Sequence, residues 1–196
     1  MWIDDQILEH CKSRSHLKVF VPTSSLVVLG SGNKSSAEVD EDYCRSQDIP
    51  ITRRYGGGGT VVLYPGCVVI SYGAWVSDPF KNGHYFRLIN QAVIDSIAEK
   101  WPPLSALGQA GISDIVFGEK KIAGTSLFRS RHYLLYQASL LVSLDTTLVS
   151  SCLKHPTKEP DYRKGRSHDS FLSSISAITG NLVSPQTVAE TIALNF

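Results

Sequence analysis

The sequence predicts an α+β domain with a mixed, largely antiparallel sheet packed with helices. Two observations carry that expectation. Strand-like runs come in pairs joined by short turn signals, and helical faces fall between the pairs without strict β–α alternation. The length, 196 residues, suits one domain, so residues 1–196 are expected to form a single unit.

The elements follow in order. Ile3, Ile7 and Leu8 share a helix face, which predicts an N-terminal helix from about Trp2 to Cys11. Lys18–Val21 and Ser25–Leu29 read as strands broken by Pro22. Ser36–Asp48 is polar and acidic, with Val39, Tyr43 and Cys44 at helical spacing. Ile51–Arg53 is a short strand. Thr60–Tyr64 and Val68–Trp75 are expected to form a hairpin turning at Pro65-Gly66. Residues 83–100 carry the broadest apolar face, built on Phe86, Ile89, Val93, Ile94 and Ile97, and Pro102-Pro103 ends it. Ile112–Phe117, Lys121–Phe128 and Tyr133–Leu144 are strand-like, the first two joined by a turn at Gly118-Glu119. Asp145 is a candidate cap for a helix to about Leu153. A polar basic loop fills 154–168, a helix is expected near Ser167–Ile175, and Ser184-Pro185 opens a final helix.

The run RRYGGGGTVVLYPG, Arg53 to Gly66, carries the strongest chemical signal. Glycines let a ligand approach the backbone, and successive N–H groups form a nest for anions. Arg53 and Arg54 put fixed positive charge beside it. A turn alone needs fewer glycines, so a phosphate-bearing ligand is the expectation. No Lys-Ser or Lys-Thr follows, which excludes a P-loop. Thr60 to Leu63 continue as strand, which excludes a dinucleotide fingerprint opening a helix.

A second stretch is GISDIVFGEKKIAGTSLF, Gly111 to Phe128. A hairpin there sets Asp114 and Lys121 on adjacent strands, and Gly124 within a strand marks close approach of a ligand or backbone. Taken singly, Asp114 reads as a turn residue and Lys121 as a solvated charge. The third stretch, His155 to Leu172, is a solvated charged face, a loop folding over an anion, or a dock for an acidic partner. His155 and His168 match no catalytic arrangement. GSGNKS, Gly30 to Ser35, reads as a loop after a strand.

A net charge of +1 and a pI near 7.7 exclude a strongly basic nucleic-acid binder. No run reaches the roughly 18 apolar residues of a membrane span, and the acidic N-terminus does not read as a signal peptide. A cytoplasmic protein is expected. Cys11, Cys44, Cys67 and Cys152 form no C-x-x-C pair, so neither zinc nor disulfides are expected. Cys152 is held as a possible nucleophile.

These stretches, in this order, resemble the lipoate–protein ligase A family, in the superfamily of biotin and lipoate protein ligases and octanoyltransferases. RRYGGGGTVV resembles the family's Arg-Arg-x-x-Gly-Gly-Gly-x-Val motif. ISDIVFGEKKIAGTS resembles its aspartate strand followed by Gly-x-x-Lys-x-x-Gly. VVLGSGN lies where the family has its acyl-site strand, WIDDQILEH resembles its first helix, and YRKGRSHDSFL resembles a segment of smaller members. The resemblance implies the family's catalytic-domain fold and a ligase that joins lipoate or octanoate to AMP, using ATP and Mg2+. The acyl group then passes to a lysine of a lipoyl carrier domain, such as a 2-oxoacid dehydrogenase E2 subunit or the glycine cleavage H protein.

On matching positions, Lys121 would be the catalytic residue, contacting acyl carbonyl and phosphate. Arg54 would hold phosphate, and Gly59, Thr60, Val61 and Val62 would lie against the nucleotide. Asp114 would position ligand or metal, and Gly57, Gly58 and Gly124 would keep the walls close. Val27, Val28 and Val61 would line an acyl tunnel. No metal-ligand set is assigned. The chain departs from the family pattern at Leu63 and Tyr64, Ser113, Gln137 and Ser31. It also stops near the expected end of the catalytic domain, so no C-terminal accessory domain is expected and a separate accessory subunit is a candidate partner. Two alternatives are an ATP-independent octanoyltransferase using Cys152 and a non-catalytic acyl- or nucleotide-binding relative.

Overall fold

The computed structural model describes Ile7, Glu9 and residues 14–78 and 81–196. Of the helix expected over Trp2–Cys11, Ile7 and Glu9 are helical, and the remainder lies outside the described residues.

Among the described residues, nine strands form two sheets. The large sheet contains β1 (His16–Phe20), β5 (Cys67–Trp75), β6 (Gly108–Ala110), β7 (Asp114–Phe117), β8 (Lys120–Ser130) and β9 (Tyr133–Leu141). Its order is β1-β5-β9-β8-β7-β6, antiparallel throughout. The small sheet holds β2 (Leu26–Leu29) between β3 (Ile51–Arg53), which runs parallel to it, and β4 (Val61–Leu63), which runs antiparallel. The mixed, mainly antiparallel architecture is the one predicted.

The large sheet is apolar on both faces because its central strands are covered twice. Val68 and Ile70 of β5 and Leu134, Tyr136 and Leu140 of β9 pack toward α3 (Asn82–Ala98) and α7 (Pro185–Asn195). On the other face, Cys67, Val69 and Leu141 join the small sheet's Val27, Val28 and Val62. α2 (Glu41–Ser46) and α4 (Thr146–Cys152) close that second core with Cys44, Val149 and Cys152.

Thr60–Tyr64 and Val68–Trp75 do not form the expected hairpin. β4 pairs with β2, whereas β5 pairs with β1 and β9. The chain changes sheets at Pro65-Gly66. Tyr64 is buried and donates its hydroxyl to Ser143 O at 2.8 Å. Gly66 O accepts from the amides of Val142 and Ser143. A Cβ on Gly66 would sit 2.4 Å from the Tyr64 ring and 2.7 Å from Ser143 O. The glycine that reads as a hairpin turn is therefore a packing requirement at a crossing point.

Other differences are local. The polar 36–48 segment splits into α1 (Ser35–Glu38) and α2, because Val39 is extended and bridges Leu153 while Asp40 caps α2 by accepting from Tyr43 N. The helix expected near Ser167–Ile175 is two helices, α5 (His168–Phe171) and α6 (Ile175–Thr179), each started by its own serine cap. β6 has no sequence signature, since Gly-Gln-Ala does not favour a strand; pairing with β7 creates it. Asp145 and Ser184 cap their helices as expected.

Candidate active site

A cleft of about 1360 Å3 opens between the small sheet and the inner face of the large one. Arg54, Gly57, Gly58, Gly59, Thr60, Val61, Val62, Asp114, Lys121 and Gly124 all line it. The three sequence stretches converge there, about 60 residues apart in the chain though the first two are.

Arg54 holds the glycine loop, and Arg53 holds the loop after β2 beside it. Arg54 is buried and its Nη2 donates to Gly57 O at 2.7 Å and Gly59 O at 2.8 Å. Arg53 donates from Nη1 to the carbonyls of Gly30, Ser31 and Asn33 at 2.9, 3.1 and 2.7 Å. Both guanidiniums thus organise loop backbone, a framework role that the motif alone does not reveal. Gly58 takes φ +90°, a conformation that favours glycine. A Cβ on Gly30 would lie 2.1 Å from Gly58 O, so the end of β2 and the glycine loop touch backbone to backbone.

Across the cleft, Lys121 Nζ pairs with Asp114 Oδ1 at 2.8 Å. Tyr162 donates its hydroxyl to Asp114 Oδ2 at 2.8 Å. Lys121 O accepts from Ser173 N at 3.0 Å, fixing the lysine's backbone as well. Gly124 leaves room for the lysine tip, because a Cβ there would sit 3.1 Å from Lys121 Cε and Nζ. Asp114 and Lys121 are therefore neither a bare turn residue nor a solvated charge.

Between these charged ends the wall is apolar, with Val28, Val61, Val69, Leu141 and Leu153 among its residues. Val27 is the exception to the expected tunnel. It does not line the cleft and packs in the core, because neighbouring strand residues point to opposite faces.

The basic loop folds over the cleft. Lys154, Lys158 and Arg163 line it with Lys34, Arg54 and Lys121, against the carboxylates of Glu38, Asp114, Glu159 and Asp161. The excess of cations suits an anionic ligand. Sequence reasoning gave no role to Glu38, Tyr162, Arg163 or His168, all of which line the site. The last three lie in the Y-R-K-G-R-S-H-D-S-F segment, where Arg163 and Arg166 stack on Phe171 at 4.7 and 5.3 Å from its ring centroid.

Burial, then the charge of Arg163, pushes the His168 imidazole down to about 4. A histidine depressed in the fold binds fewer protons than in the unfolded chain between pH 4 and 6.5, so stability falls as pH drops through that window. His168→Gln is expected to flatten the decline of Tm between pH 7 and 5, measured by thermal denaturation at each pH. Equal declines in the two proteins would contradict this.

Cys152 is buried in the second core and does not line the cleft. Burial raises its thiol to about 12, far from the thiolate a nucleophile needs. Among the described residues, no three His, Cys, Asp or Glu side chains form a metal cluster, and no helix is long and apolar enough to cross a membrane.

The profile of the lipoyl protein ligase A/B catalytic domain matches residues 1–196. The chain belongs to that family. Among relatives, it is 32% identical over 142 residues to lipoate-protein ligase A subunit 1 of Thermoplasma acidophilum, covering 68% of this chain and 53% of that protein. The bipartite lipoate protein ligase solved with its E2 lipoyl domain, also from Thermoplasma acidophilum, superposes with TM-score 0.82 at 25% identity, covering 98% of this chain and 74% of that one. A lipoate-protein ligase A bound with ATP shares the fold, with TM-score 0.79 at 24% identity, covering 98% of this chain and 76% of that one. The chain spans about half the length of the curated relatives it matches.

Within this lipoyl ligase domain the departures from the family pattern fall in two groups. Leu63, Gln137 and Ser31 line the cleft. Tyr64 is turned into the framework. Ser113 lines the cleft but exchanges bonds with Thr125, donating to its carbonyl at 3.1 Å and accepting from its hydroxyl at 2.6 Å. That clasp sets the residue before Asp114.

Proposed function

We propose that the domain is a lipoate–protein ligase, activating lipoate or octanoate with ATP and passing the acyl group to a carrier lysine. The observation that supports this best is the Lys121–Asp114 pair facing the glycine loop across a cleft whose remaining wall is apolar. One end suits phosphate, the middle suits an acyl chain, and the lysine stands where the two would join.

The chemistry has two steps. A carboxylate oxygen of the acid forms a bond to the α-phosphorus, and pyrophosphate leaves. The neutral amine of the carrier lysine then attacks the acyl carbonyl, AMP leaves, and an amide forms as the amine loses a proton. Lys121, released from Asp114 by the arriving anion, stabilises charge on carbonyl and phosphate oxygens in both steps. Arg54 supports the phosphate end through the loop it organises. Gly57, Gly58 and Gly59 allow close approach, and Thr60, Val61 and Val62 flank the nucleotide. Gly124 keeps space for Lys121. Val28 and Val61 hold the acyl chain.

The donor set fits magnesium, which commonly takes one or two carboxylates plus substrate phosphates. Asp114 is the carboxylate here, and the ion would offset charge on the departing pyrophosphate.

Carrier domains of E2 subunits or of the glycine cleavage H protein are the proposed acceptors, and a separate subunit is a proposed partner. The bipartite relative and its E2 lipoyl domain support both. A cytoplasmic setting and a single catalytic domain over 1–196 remain part of the proposal.

Pyrophosphate release tests the first step. Protein, lipoate and Mg-ATP should release pyrophosphate, and omission of lipoate should stop it. Release that ignores lipoate would sink the proposal. Cys152→Ala should keep ATP-dependent transfer within about twofold of the parent, since a buried thiol off the cleft takes no part. Loss of transfer in a folded variant would favour the octanoyltransferase reading instead.

A further inference from the structure

Four segments of the cleft meet at one buried carboxylate that the mechanism above does not use. Glu38, 7% exposed, ends α1 and lines the cleft. Its Oε2 accepts from Asn33 Nδ2 at 2.7 Å and from the hydroxyl of Thr60. Its Oε1 accepts from the Thr157 hydroxyl at 3.3 Å. Its own carbonyl accepts from Lys154 N at 3.0 Å. Asn33 Nδ2 also donates to Gly58 O at 3.0 Å.

The partners come from the loop after β2, the glycine loop and the basic loop over the cleft. Asn33 and Thr60 present donors at one oxygen, and Thr157 presents one at the other. An ionised carboxylate accepts at both oxygens and has no donor to misplace. Bonds to a charged acceptor are also stronger than neutral ones. Glu38 contacts no cation among its bonded groups, so its role is to order these donors rather than to neutralise charge.

We propose that Glu38 is a positioning residue that sets the glycine loop for the nucleotide and couples it to the basic loop. The assignment rests on the proposed ATP site. Thr60, bonded to Glu38, and Gly58, reached from Glu38 through Asn33, belong to the glycine loop on the proposed nucleotide side of the cleft. The apolar wall that would take the acyl chain has no bond to Glu38. The effect of losing the carboxylate is therefore selective for the nucleotide.

Calorimetry with Mg-ATP and, separately, with lipoate tests this on the folded full chain. Glu38→Ala should weaken ATP binding about tenfold or more, because it leaves buried donors without acceptors. Lipoate affinity should stay within about twofold, since its wall is untouched. Glu38→Gln should restore most of the ATP affinity. Its oxygen can serve Asn33 and Thr60, and its amide can donate to Thr157 once that hydroxyl rotates.

Equal ATP affinity in Glu38→Ala and the parent would overturn the assignment, as would equal loss of both ligands in the alanine variant. A parent that binds no ATP would sink the ligase proposal instead. The coupling then stands or falls on tryptic cleavage after Lys154 and Lys158 without ligand. Faster cleavage in Glu38→Ala than in the parent supports it, and an unchanged rate overturns it. Thr60→Val, which removes one donor and leaves the carboxylate, gives the same selective ATP loss if the alanine variant fails to fold.

Discussion

Lys121→Ala is expected to lower lipoate-dependent pyrophosphate release by about two to three orders of magnitude, the range seen when one electrostatic stabiliser is removed. The fold should survive. Lys121 is partly exposed, Asp114 keeps its bond from Tyr162, and the backbone tie from Ser173 N does not depend on the side chain. Stability should fall by about 1–3 kcal/mol, because the buried Asp114 carboxylate loses one of its two partners and keeps Tyr162. Pyrophosphate release and urea unfolding on the same preparation separate the two effects. Release at the parent rate would remove Lys121 from the chemistry, and a collapse in stability would make it structural.

Gly30→Ala carries the second large effect, by a different route. The added Cβ would stand 2.1 Å from Gly58 O and 3.3 Å from Asn33 Nδ2. The nearest atom is backbone, so the glycine loop itself must shift. Overpacking of this kind costs about 1–3 kcal/mol. A displacement of about 1 Å at a positioning loop can cost about 10²-fold in rate. Both losses should appear together, in urea unfolding and in pyrophosphate release. Full activity in Gly30→Ala would show that the loop does not need its observed contact with the end of β2.

How much of this was legible from residues alone differs by kind. The glycine loop stood out by its four glycines and two arginines, whereas Asp114, Lys121 and Gly124 stood out only through the motif order they share with the family. The turn at Gly118-Glu119 put Asp114 and Lys121 on adjacent strands, but the ion pair between them is seen only in the fold. The hairpin at Pro65-Gly66 misled because a Pro-Gly turn does not say which sheet each flanking strand joins, and β2 and β9 are far away in sequence. Val27 was placed in the tunnel with Val28 and Val61 through the resemblance of VVLGSGN to the acyl-site strand, which does not say which valine faces the cleft; Val28 lines it. Glu38 was overlooked because acids on a short polar helix are ordinarily solvated, and its donors come from positions 33, 60 and 157. Tyr162 and His168 were masked by the charge around them, which reads as surface until the loop is seen folded over the cleft.

Arg53 and Arg54 show the limit of motif reading most clearly. Two arginines before four glycines suggest direct phosphate contacts. Bonds from the two arginines go to the carbonyls of Val28, Gly30, Ser31, Asn33, Gly57 and Gly59. Their contribution begins with the shape of the loop, and a charge held this close to it still favours an anion above.

Intact-protein mass spectrometry of an apo lipoyl domain tests the central claim most directly. The domain is incubated with this protein and lipoate, with and without Mg-ATP, and with a candidate accessory subunit present in parallel. The account predicts the gain of one lipoyl group on the domain's lysine only when ATP is present. Transfer from an octanoyl carrier without ATP, or no mass gain in any arm while an authentic ligase modifies the same domain, would contradict it.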